Sequence, residues 1–302
     1  MRMHAGQLEV SPAQVHSLLA DQFPALAGRT VRRVRSAGTA NAVFRLSGGL
    51  TARFPLRPVP LEDAWAAARR ETDAAAELAL VATVATPQPL GIGSPGHGYP
   101  LPWVVQTWVQ GTPATLADPA ASTPFALDLA DLLAALRRLD TRDRRFAGPG
   151  RGGRLSDQDA WLAHCFKQLD GSRVDVARLR ALWGRLRTTP RTEADVMSHR
   201  DLVPGNLLVR RGRLAGVIDV GDFGPADPAL DLVCAWHLLD RERRRVFRDR
   251  LGVPDAQWER GRAWALAQAL GLPWYYERGN PAMAQLGLRT LERVLAGELA
   301  DA

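Results

Sequence analysis

Polar and apolar residues near the start of the chain follow the pattern of a single helix. Residues 11–14 read Ser-Pro-Ala-Gln, which combines a capping serine, a first-turn proline and a glutamine three residues after the cap. Leu18, Leu19 and Phe23 then supply one apolar face at helical spacing. The pattern predicts a helix that packs through this face.

Short alternating segments, typical of strands, follow this helix. Residues 42–46 and 50–54 flank Ser-Gly-Gly at 47–49, a turn sequence that predicts a hairpin. Further strands are predicted at 30–35, 88–92 and 103–109, and the Ala-rich, charged stretch 61–84 predicts a helix. The first third of the chain should therefore form a small, mostly antiparallel sheet with a helix packed on it.

The remaining two thirds of the chain are dominated by helical spacing. Predicted helices, separated by one short β segment at 207–220, cover 125–139, 157–169, 174–186, 228–239 and 257–270. The Gly- and Arg-rich stretch 141–153 is predicted to be a loop. The fold class is therefore α+β, with a β-rich N-terminal lobe at 1–106, a connector at 107–112 and a helical C-terminal lobe at 113–302.

Composition and charge exclude several classes of protein. The 302 residues contain no apolar run long enough to span a membrane, and no apolar run follows the first residues as in a secretory signal. The net charge of +7 raises the question of nucleic-acid binding. Acids interrupt the densest basic run, 241–250, which therefore reads as a solvated helix face. Two isolated cysteines predict no disulfide or zinc framework, and we expect a cytoplasmic protein.

The richest chemistry lies between 198 and 222. Residues 207–209 and 214–218 predict a hairpin that would bring Asn206 and Asp219 together at its open end. One carboxylate and one amide oxygen are hard ligands that suit Mg²⁺ bound to phosphates. Asp201 precedes Asn206 by five residues in a Pro-Gly loop, and this spacing suits a base that accepts a hydroxyl proton.

The same stretch carries a family resemblance. His199-Arg200-Asp201, followed by four residues and then Asn206, resembles the catalytic loop of the protein-kinase fold, and Asp219-Val220-Gly221 resembles its metal-binding motif. The run from Pro204 to Leu208, with 224–232 after it, is closer to the aminoglycoside phosphotransferase family of small-molecule kinases. The resemblance covers nearly the whole chain. It implies a protein-kinase-like two-lobe fold that transfers the γ-phosphate of ATP or GTP, with Mg²⁺, to a small-molecule hydroxyl.

The resemblance also implies supporting roles around this loop. Asp231 should accept hydrogen bonds from the backbone of the catalytic loop, and His199 should organise the loop. Asp227, directly before a proline, is predicted to cap the next helix. Arg200 stands where many family members have glycine, and Asp222 is a candidate contact to the acceptor.

The nucleotide side departs from the kinase pattern because the N-terminal lobe has no lysine: the only lysine of the chain is Lys167. Arg53, on the second hairpin strand, is the candidate cation for the phosphates, with Glu71 of the following helix as its partner. The remaining nucleotide contacts are predicted from the resemblance. They are Ser36, Gly38 and Thr39 of a phosphate-covering loop, and the backbone from Gln106 to Trp108 beside the base.

The predicted acceptor region is aromatic rather than acidic. Trp236, Trp274 and Tyr275 are its candidate residues, and between 225 and 302 the 11 acids are balanced by 11 arginines. A polycationic aminoglycoside would favour an excess of acids, so the balance favours a neutral hydroxylated acceptor such as a macrolide.

Two other functions remain as alternatives. A kinase-like protein with impaired catalysis would explain the missing lysine, but Asp201, Asn206 and Asp219 argue against it. A nucleic-acid-binding protein would explain the charge, but no such motif accompanies it. We therefore expect an enzyme with a small-molecule partner and without nucleic-acid or membrane partners, either a monomer or a homodimer.

Overall fold

The computed structural model describes residues 6–34, 40–148, 150–171 and 174–297. These residues form two compact units. The first comprises the described residues of Met1–Leu80, Ala85–Gln110 and Val217–Gly221, and the second comprises Val81–Val84, Gly111–Gly216 and the described residues from Asp222 onward. The segment Val217–Gly221 thus groups with residues far earlier in the chain, which a division at a single point of the sequence does not reveal.

A five-stranded antiparallel sheet is the centre of the first unit, in the order β1-β2-β3-β5-β4. The elements of this unit, in chain order, are α1 (Pro12–Gln22), β1 (Val31–Arg33), β2 (Asn41–Leu46), β3 (Leu50–Pro55), α2 (Leu61–Ala79), β4 (Pro89–Gly93) and β5 (Trp103–Thr107). The capping box of Ser11 and Gln14 forms as the sequence predicts, and so does the hairpin of β2 and β3, in which Leu46 pairs with Leu50. Helix α2 ends five residues before the predicted limit of 84.

Aromatic side chains fill the core of this unit. Phe54 stacks on Trp103 with ring centroids 4.8 Å apart and meets Phe44 and Tyr99 edge to face. Alternation along β3 directs Ala52 and Phe54 into this core. A Phe54→Ala substitution would remove the central ring and cost about 3–5 kcal/mol of stability.

The second unit is mainly helical. Its helices are α3 (Ala114–Ala117), α4 (Thr123–Arg138), α5 (Asp159–Leu169), α6 (Val176–Leu186), α7 (Val233–Leu238), α8 (Arg241–Leu251), α9 (Asp255–Ala269), α10 (Leu272–Tyr275) and α11 (Pro281–Ala296). Its strands are β6 (Thr112–Pro113), β7 (Val196–Ser198), β8 (Leu207–Arg210), β9 (Arg213–Val217), whose last residue belongs to the first unit, and β10 (Gly224–Ala226). Helix α9 is its centre, because residues on every side of its second half are buried.

The α+β class predicted from the sequence is confirmed, with several local corrections. The predicted helix at 228–239 is a short 3-10 turn, Leu230–Leu232, followed by the brief α7. The sequence predicted a single β segment in this unit, but the described residues contain three further strands. Strand β6 pairs with β8, and β7 pairs with β10. Helices α3, α10 and α11 were not predicted, whereas α8 coincides with the basic run 241–250 that the sequence analysis interpreted as a helix face. None of the helices in the described ranges is both long and apolar enough to cross a bilayer.

Candidate active site

The hairpin of β8 and β9 is flanked by two residues of the candidate site, Asn206 before β8 and Asp219 after β9. A 3-10 helix, Pro204–Asn206, leads directly into β8, and Asp219 follows the end of β9 by two residues. The N–H of Val217 donates to the carbonyl of Ala85 at 3.0 Å and fixes the exit of β9. Asp219 has a φ of 62°, a left-handed conformation that costs a non-glycine residue energy and is often found at functional sites.

Arg53, Glu71 and Asp219 form an ion cluster in the first unit. Because Ala52 and Phe54 point into the core, the intervening Arg53 points to the opposite face of the sheet, where α2 places Glu71. Its Nη1 lies 2.6 Å from Oε1 of Glu71, and its Nη2 lies 2.7 Å from Oδ1 of Asp219. The structure therefore brings together three residues that the sequence assigned to nucleotide and metal binding.

Burial and charge pairing act in opposite directions on the pKa values of Arg53 and Glu71. The side chain of Arg53 is only 11% exposed. Burial alone would lower the pKa of Arg53, but the carboxylates of Glu71 and Asp219 outweigh burial and hold that pKa above its ordinary value. Burial raises the pKa of Glu71, against the effect of Arg53 and with a contribution from Asp219. Arg53 is therefore a permanently charged cation held by two acids.

Asp231 holds the backbone of the catalytic loop in the second unit. Its two carboxylate oxygens accept the N–H of His199 at 2.7 Å and the N–H of Arg200 at 2.9 Å. These are the bonds that the family resemblance implies. Arg200 has a φ of 67°, which explains physically why glycine suits this position. The two backbone N–H groups directly before Asp201 are thus both held by one carboxylate.

The carboxylate of Asp201 is oriented by two neighbours and stays 27% exposed. Nδ2 of Asn206 donates to Oδ2 of Asp201 and to its carbonyl, both at 2.9 Å. Nη2 of Arg151 donates to Oδ1 at 3.1 Å. The charge of Asp201 also acts on Tyr276, because it contributes, after burial and Tyr275, to raising the pKa of the Tyr276 hydroxyl. Asp201 is therefore an oriented, partly accessible proton acceptor.

A glycine-rich loop brings Arg151 to this carboxylate. Gly152 has a φ of 126°, and a Cβ there would lie 2.8 Å from Phe146 and 3.0 Å from Ala226. Its carbonyl accepts the N–H of Asp227 at 2.7 Å, which fastens the loop to the second unit. Gly152 is required by both its backbone conformation and the lack of space.

Asp227 is fully buried, and its surroundings correct its predicted role as a helix cap. Oδ1 accepts the N–H of Ala229, but no helix begins there. Oδ2 accepts hydrogen bonds from Arg260 and from Nε1 of Trp264, at 2.9 Å for the latter. The carboxylate neutralises a buried arginine of α9, a demand that arises only when the helix packs there.

Of the other predicted nucleotide contacts, the structure describes only those at 106–108. Ser36, Gly38 and Thr39 lie outside the described residues. Gln106 is buried in β5, the second strand from the edge of the five-stranded sheet, and Trp108 lies beneath the guanidinium of Arg45 at 5.0 Å. The amide of Trp108 donates to the carbonyl of Gly49, and that of Thr107 donates to Gln88, both at 2.8 Å. Both N–H groups are thus engaged within the first unit, and contact of the backbone from Gln106 to Trp108 with a base stays a prediction.

The candidate acceptor residues occupy different surroundings within the second unit. Asp222 is exposed. Trp236 is buried in α7 and packs on Trp258, with ring centroids 4.5 Å apart. Trp274 meets Trp161, His164 and Tyr275, and Tyr275 is exposed. Tyr276, which was not among the candidate acceptor residues, is affected electrostatically by Asp201.

Arg151 is the main residue that the sequence analysis missed. It lies in the predicted loop 141–153. The sequence offers one indication of a special role for Arg151, namely its place between two glycines in a loop before the catalytic motif. Nothing in the local sequence indicates that its side chain reaches Asp201, because the two residues are 50 positions apart.

Two groups have atoms suited to a cation such as Mg²⁺. Both hydrogen bonds of the Asn206 side chain use Nδ2, so Oδ1 is the atom that would act as ligand. The carboxylate of Asp219 is 52% exposed and engages Arg53 through Oδ1. Both ligands are hard oxygen donors and fit Mg²⁺ chemically. Among the described residues, no group of three or more His, Cys, Asp and Glu side chains could hold a metal ion.

Solved structures define the class of fold. The GDP complex of wild-type aminoglycoside 2'-phosphotransferase-IIIa matches 96% of this chain and 100% of its own, with a TM-score of 0.67 and 19% identity. A macrolide 2'-phosphotransferase from Brachybacterium faecium matches 92% of this chain and 97% of its own, with a TM-score of 0.61 and 20% identity. The chain therefore has the protein-kinase-like fold of small-molecule phosphotransferases.

The sequence comparisons identify the family. Residues 31–265 match the model of the APH family, described as "Phosphotransferase enzyme family". The chain belongs to this family, which confirms the resemblance found in the sequence. An aminoglycoside 3'-phosphotransferase from Streptomyces fradiae is 32% identical over 173 residues, which make up 48% of this chain and 60% of that protein. The match thus spans less than two thirds of that relative's length.

Proposed function

We propose that the protein is a kinase that transfers the γ-phosphate of ATP or GTP to a hydroxyl group of a small molecule. The observation that carries the proposal is Asp201, a partly exposed carboxylate oriented by Asn206 in a loop fixed by Asp231. A fixed carboxylate of this kind can receive a proton without reorganisation of its surroundings. Membership of the phosphotransferase family supports the same assignment.

The proposed reaction is one direct transfer. A carboxylate oxygen of Asp201 accepts the proton of the acceptor hydroxyl, and the hydroxyl oxygen forms a bond to the γ-phosphorus. The bond from that phosphorus to the β–γ bridging oxygen breaks, and the nucleoside diphosphate leaves. Asn206 holds the Asp201 carboxylate through Nδ2, so the proton-accepting oxygen keeps one direction during the transfer.

Arg53 and Glu71 are the proposed phosphate-binding pair of the first unit. The guanidinium offers several N–H donors that match phosphate oxygens, and Glu71 fixes its position. Asn206 and Asp219 are the proposed ligands of Mg²⁺, which when bound neutralises charge on the transferring phosphates. ATP and GTP both remain candidate donors, because structural relatives are described as a GDP complex and as ADP-bound.

The proposed acceptor is a neutral hydroxylated molecule, such as a macrolide, rather than a polycation. Arg151 places a guanidinium on the carboxylate that would receive the proton, and a cationic acceptor would be repelled there. The equal numbers of acids and arginines between 225 and 302 agree with this choice. Relatives of this fold are described both as aminoglycoside and as macrolide phosphotransferases, so a role in antibiotic resistance belongs to the proposal.

A panel of acceptors tests the proposal. Purified protein with Mg-ATP or Mg-GTP is mixed with macrolides, aminoglycosides and hydroxylated metabolites, and nucleoside diphosphate and phosphorylated product are measured together. We expect turnover with a neutral acceptor. Asp201→Asn should lower kcat by about 10²-fold or more with little change in nucleotide affinity. Asp249→Asn, an exposed aspartate of α8, is the matched control and should retain full activity.

The panel also separates the alternative of impaired catalysis. Nucleotide binding without turnover of any acceptor, and without a difference between the wild type and Asp201→Asn, would support that alternative. A large loss of nucleotide affinity in Asp201→Asn would show that its carboxylate serves the nucleotide instead. The cytoplasmic location and the choice between monomer and homodimer stay predictions, which fractionation and light scattering would test.

A further inference from the structure

Four arginines share one face of α8. Arg241, Arg244, Arg245 and Arg248 are spaced i, i+3, i+4 and i+7, which places them in one row on a helix. The sequence analysis interpreted this run as a solvated face. In the structure Arg244 is instead buried and the row lines a depression in the second unit.

The depression, here called the arginine pocket, has about 160 Å³ of free volume. Its lining residues come from α7, α8, α9 and the end of α11, and they are Trp236, Arg241, Arg244, Arg245, Arg248, Trp258, Glu259, Arg262 and Gly297. Five of these nine residues are arginines and one is an acid, so the lining carries a net charge of +4. Trp236 was a candidate acceptor residue in the sequence analysis, but none of the described residues proposed to bind the nucleotide or Mg²⁺ or to accept the proton lines the pocket.

Arg244 is the centre of this charge. Only 8% of the residue is exposed, and its Nη1 donates to the carbonyl of Leu239 at 2.8 Å. A guanidinium has five N–H donors, so one carbonyl leaves most of this group's capacity to other partners. Burial and the nearby Arg293 and Arg241 lower the pKa of Arg244 to about 10, against a smaller opposing effect of Asp240. A buried cation among like charges is costly unless an anion joins it.

Structural roles account for part of the cluster. Arg241 and Arg262 donate to the carbonyls of Ala296 and Val294, so they satisfy the C-terminal end of α11. Such carbonyls carry only a fraction of a charge and leave the guanidinium groups cationic. Glu259 lies 3.3 Å from Nη1 of Arg262, and Asp255 pairs with Arg248. The structural roles therefore leave a positive excess in the pocket.

Tryptophans strengthen the effect of this charge. The rings of Trp236 and Trp258 pack 4.5 Å apart, and the guanidinium of Arg248 lies 5.4 Å from the centre of Trp258. An aromatic wall lowers the local dielectric constant and holds the arginine in place, so an anion would interact more strongly there than on an open surface.

We propose that the arginine pocket is a second ligand site, separate from the phosphoryl-transfer residues, that binds a compact multivalent oxyanion. Guanidinium groups recognise phosphate and carboxylate oxygens through paired hydrogen bonds, and a row of arginines around a buried one suits a ligand with several such groups. The ligand belongs to the class of polyphosphates, phosphorylated small molecules and polycarboxylates.

Calorimetric titration of the full chain with inorganic tripolyphosphate and with citrate tests the proposal. The background variant Arg53→Gln removes the proposed phosphate-binding cation of the first unit. The affinity that this variant retains for the two anions therefore measures binding at the arginine pocket. In that background, Arg241→Gln with Arg245→Gln should weaken binding at least tenfold. The control, Arg138→Gln with Arg250→Gln, removes two exposed arginines outside the pocket and should change the affinity less than twofold. Circular dichroism verifies that each variant is folded.

The outcomes are distinct. Binding that both pairs of substitutions weaken equally would reflect net charge alone and would overturn the proposal, as would the absence of binding in the wild type. Binding of tripolyphosphate but not of citrate would assign the site to phosphates. Binding of each of the two anions would assign it to multivalent oxyanions in general. The variant Glu298→Gln with Asp301→Asn should bind as the wild type does. At least tenfold tighter binding by this variant would show that these acids of the chain itself are the occupants, and would overturn the proposal of a separate ligand.

Discussion

Arg53 and Asp219 are 166 positions apart in the sequence, yet Nη2 of the arginine lies 2.7 Å from Oδ1 of the aspartate. The same guanidinium contacts Glu71 through Nη1 at 2.6 Å. An arginine can hold two carboxylates at once because its fork presents donors in two directions, whereas an ammonium group is a single point of charge. The arginine at this position therefore links a β-strand, a helix and the segment after β9.

The first prediction concerns this guanidinium. Arg53→Ala should lower kcat/KM for the nucleotide by about 1.5–3 kcal/mol, the range for hydrogen bonds to charged groups. Arg53→Lys should retain part of the activity, because one charge still reaches a phosphate while the fork is lost. Steady-state kinetics with varied nucleotide measures both. An unchanged kcat/KM in Arg53→Ala would remove this residue from the nucleotide site.

The second prediction concerns acceptor choice. Arg151→Ala removes a cation from the Asp201 carboxylate, so cationic acceptors should gain relative to neutral ones. The ratio of kcat/KM for an aminoglycoside to that for a macrolide should rise about fivefold to tenfold, which corresponds to about 1 kcal/mol for a partly exposed charge. Arg151→Lys keeps the charge and should leave the ratio near that of the wild type. A ratio that moves equally in both variants would argue against charge as the cause.

The third prediction concerns the left-handed backbone of Arg200. Its φ of 67° is favourable for glycine, while its guanidinium lies 5.0 Å from the centre of the Phe146 ring. In Arg200→Gly the relief of backbone strain and the loss of this contact nearly offset each other, so stability should change by less than about 1 kcal/mol. Arg200→Val should cost about 2 kcal/mol or more, because a β-branched residue resists this conformation. Denaturant unfolding compares the two variants, and equal losses would contradict the assigned strain.

The fourth prediction concerns pH. Burial lowers the pKa of His237 to about 4, against the opposing bond to Gln268, with smaller lowering effects of Arg151 and Arg293. Its stabilising effect is complete above the ordinary pKa of about 6.5 and declines as the pH falls toward 4, because only the unfolded chain takes up the proton readily. The loss should reach about 3 kcal/mol.

Unfolding midpoints between pH 4 and pH 7 test this dependence. The variant His237→Gln should show a flatter acid limb than the wild type. His16→Gln, which changes an exposed histidine of α1, is the control and should retain the slope of the wild type. Equal slopes in all three proteins would show that other groups govern the acid limb.

Local sequence sufficed for elements whose signals are local. The capping box at Ser11 and the Ser-Gly-Gly turn at 47–49 each place their determining residues within a few positions, and both elements form as predicted. The helix predicted at 228–239 failed for a different reason. Tertiary bonds from Arg260 and Trp264 hold Oδ2 of Asp227 at the start of this segment, and a 3-10 turn replaces the first part of the predicted helix.

In the candidate site, too, some features follow from the local sequence and others only from tertiary contacts. The sequence by itself determined the family and the residue types at Asp201, Asn206 and Asp219, because a short motif fixes which chemistry each position can supply. It also showed that the N-terminal lobe has no lysine, and it predicted Arg53 as the substitute cation. Only tertiary structure decided that Arg151 lies on the carboxylate of Asp201, since that contact depends on how a distant loop folds back. It also decided that the arginine row of α8 lines a pocket, because burial depends on what packs against a helix.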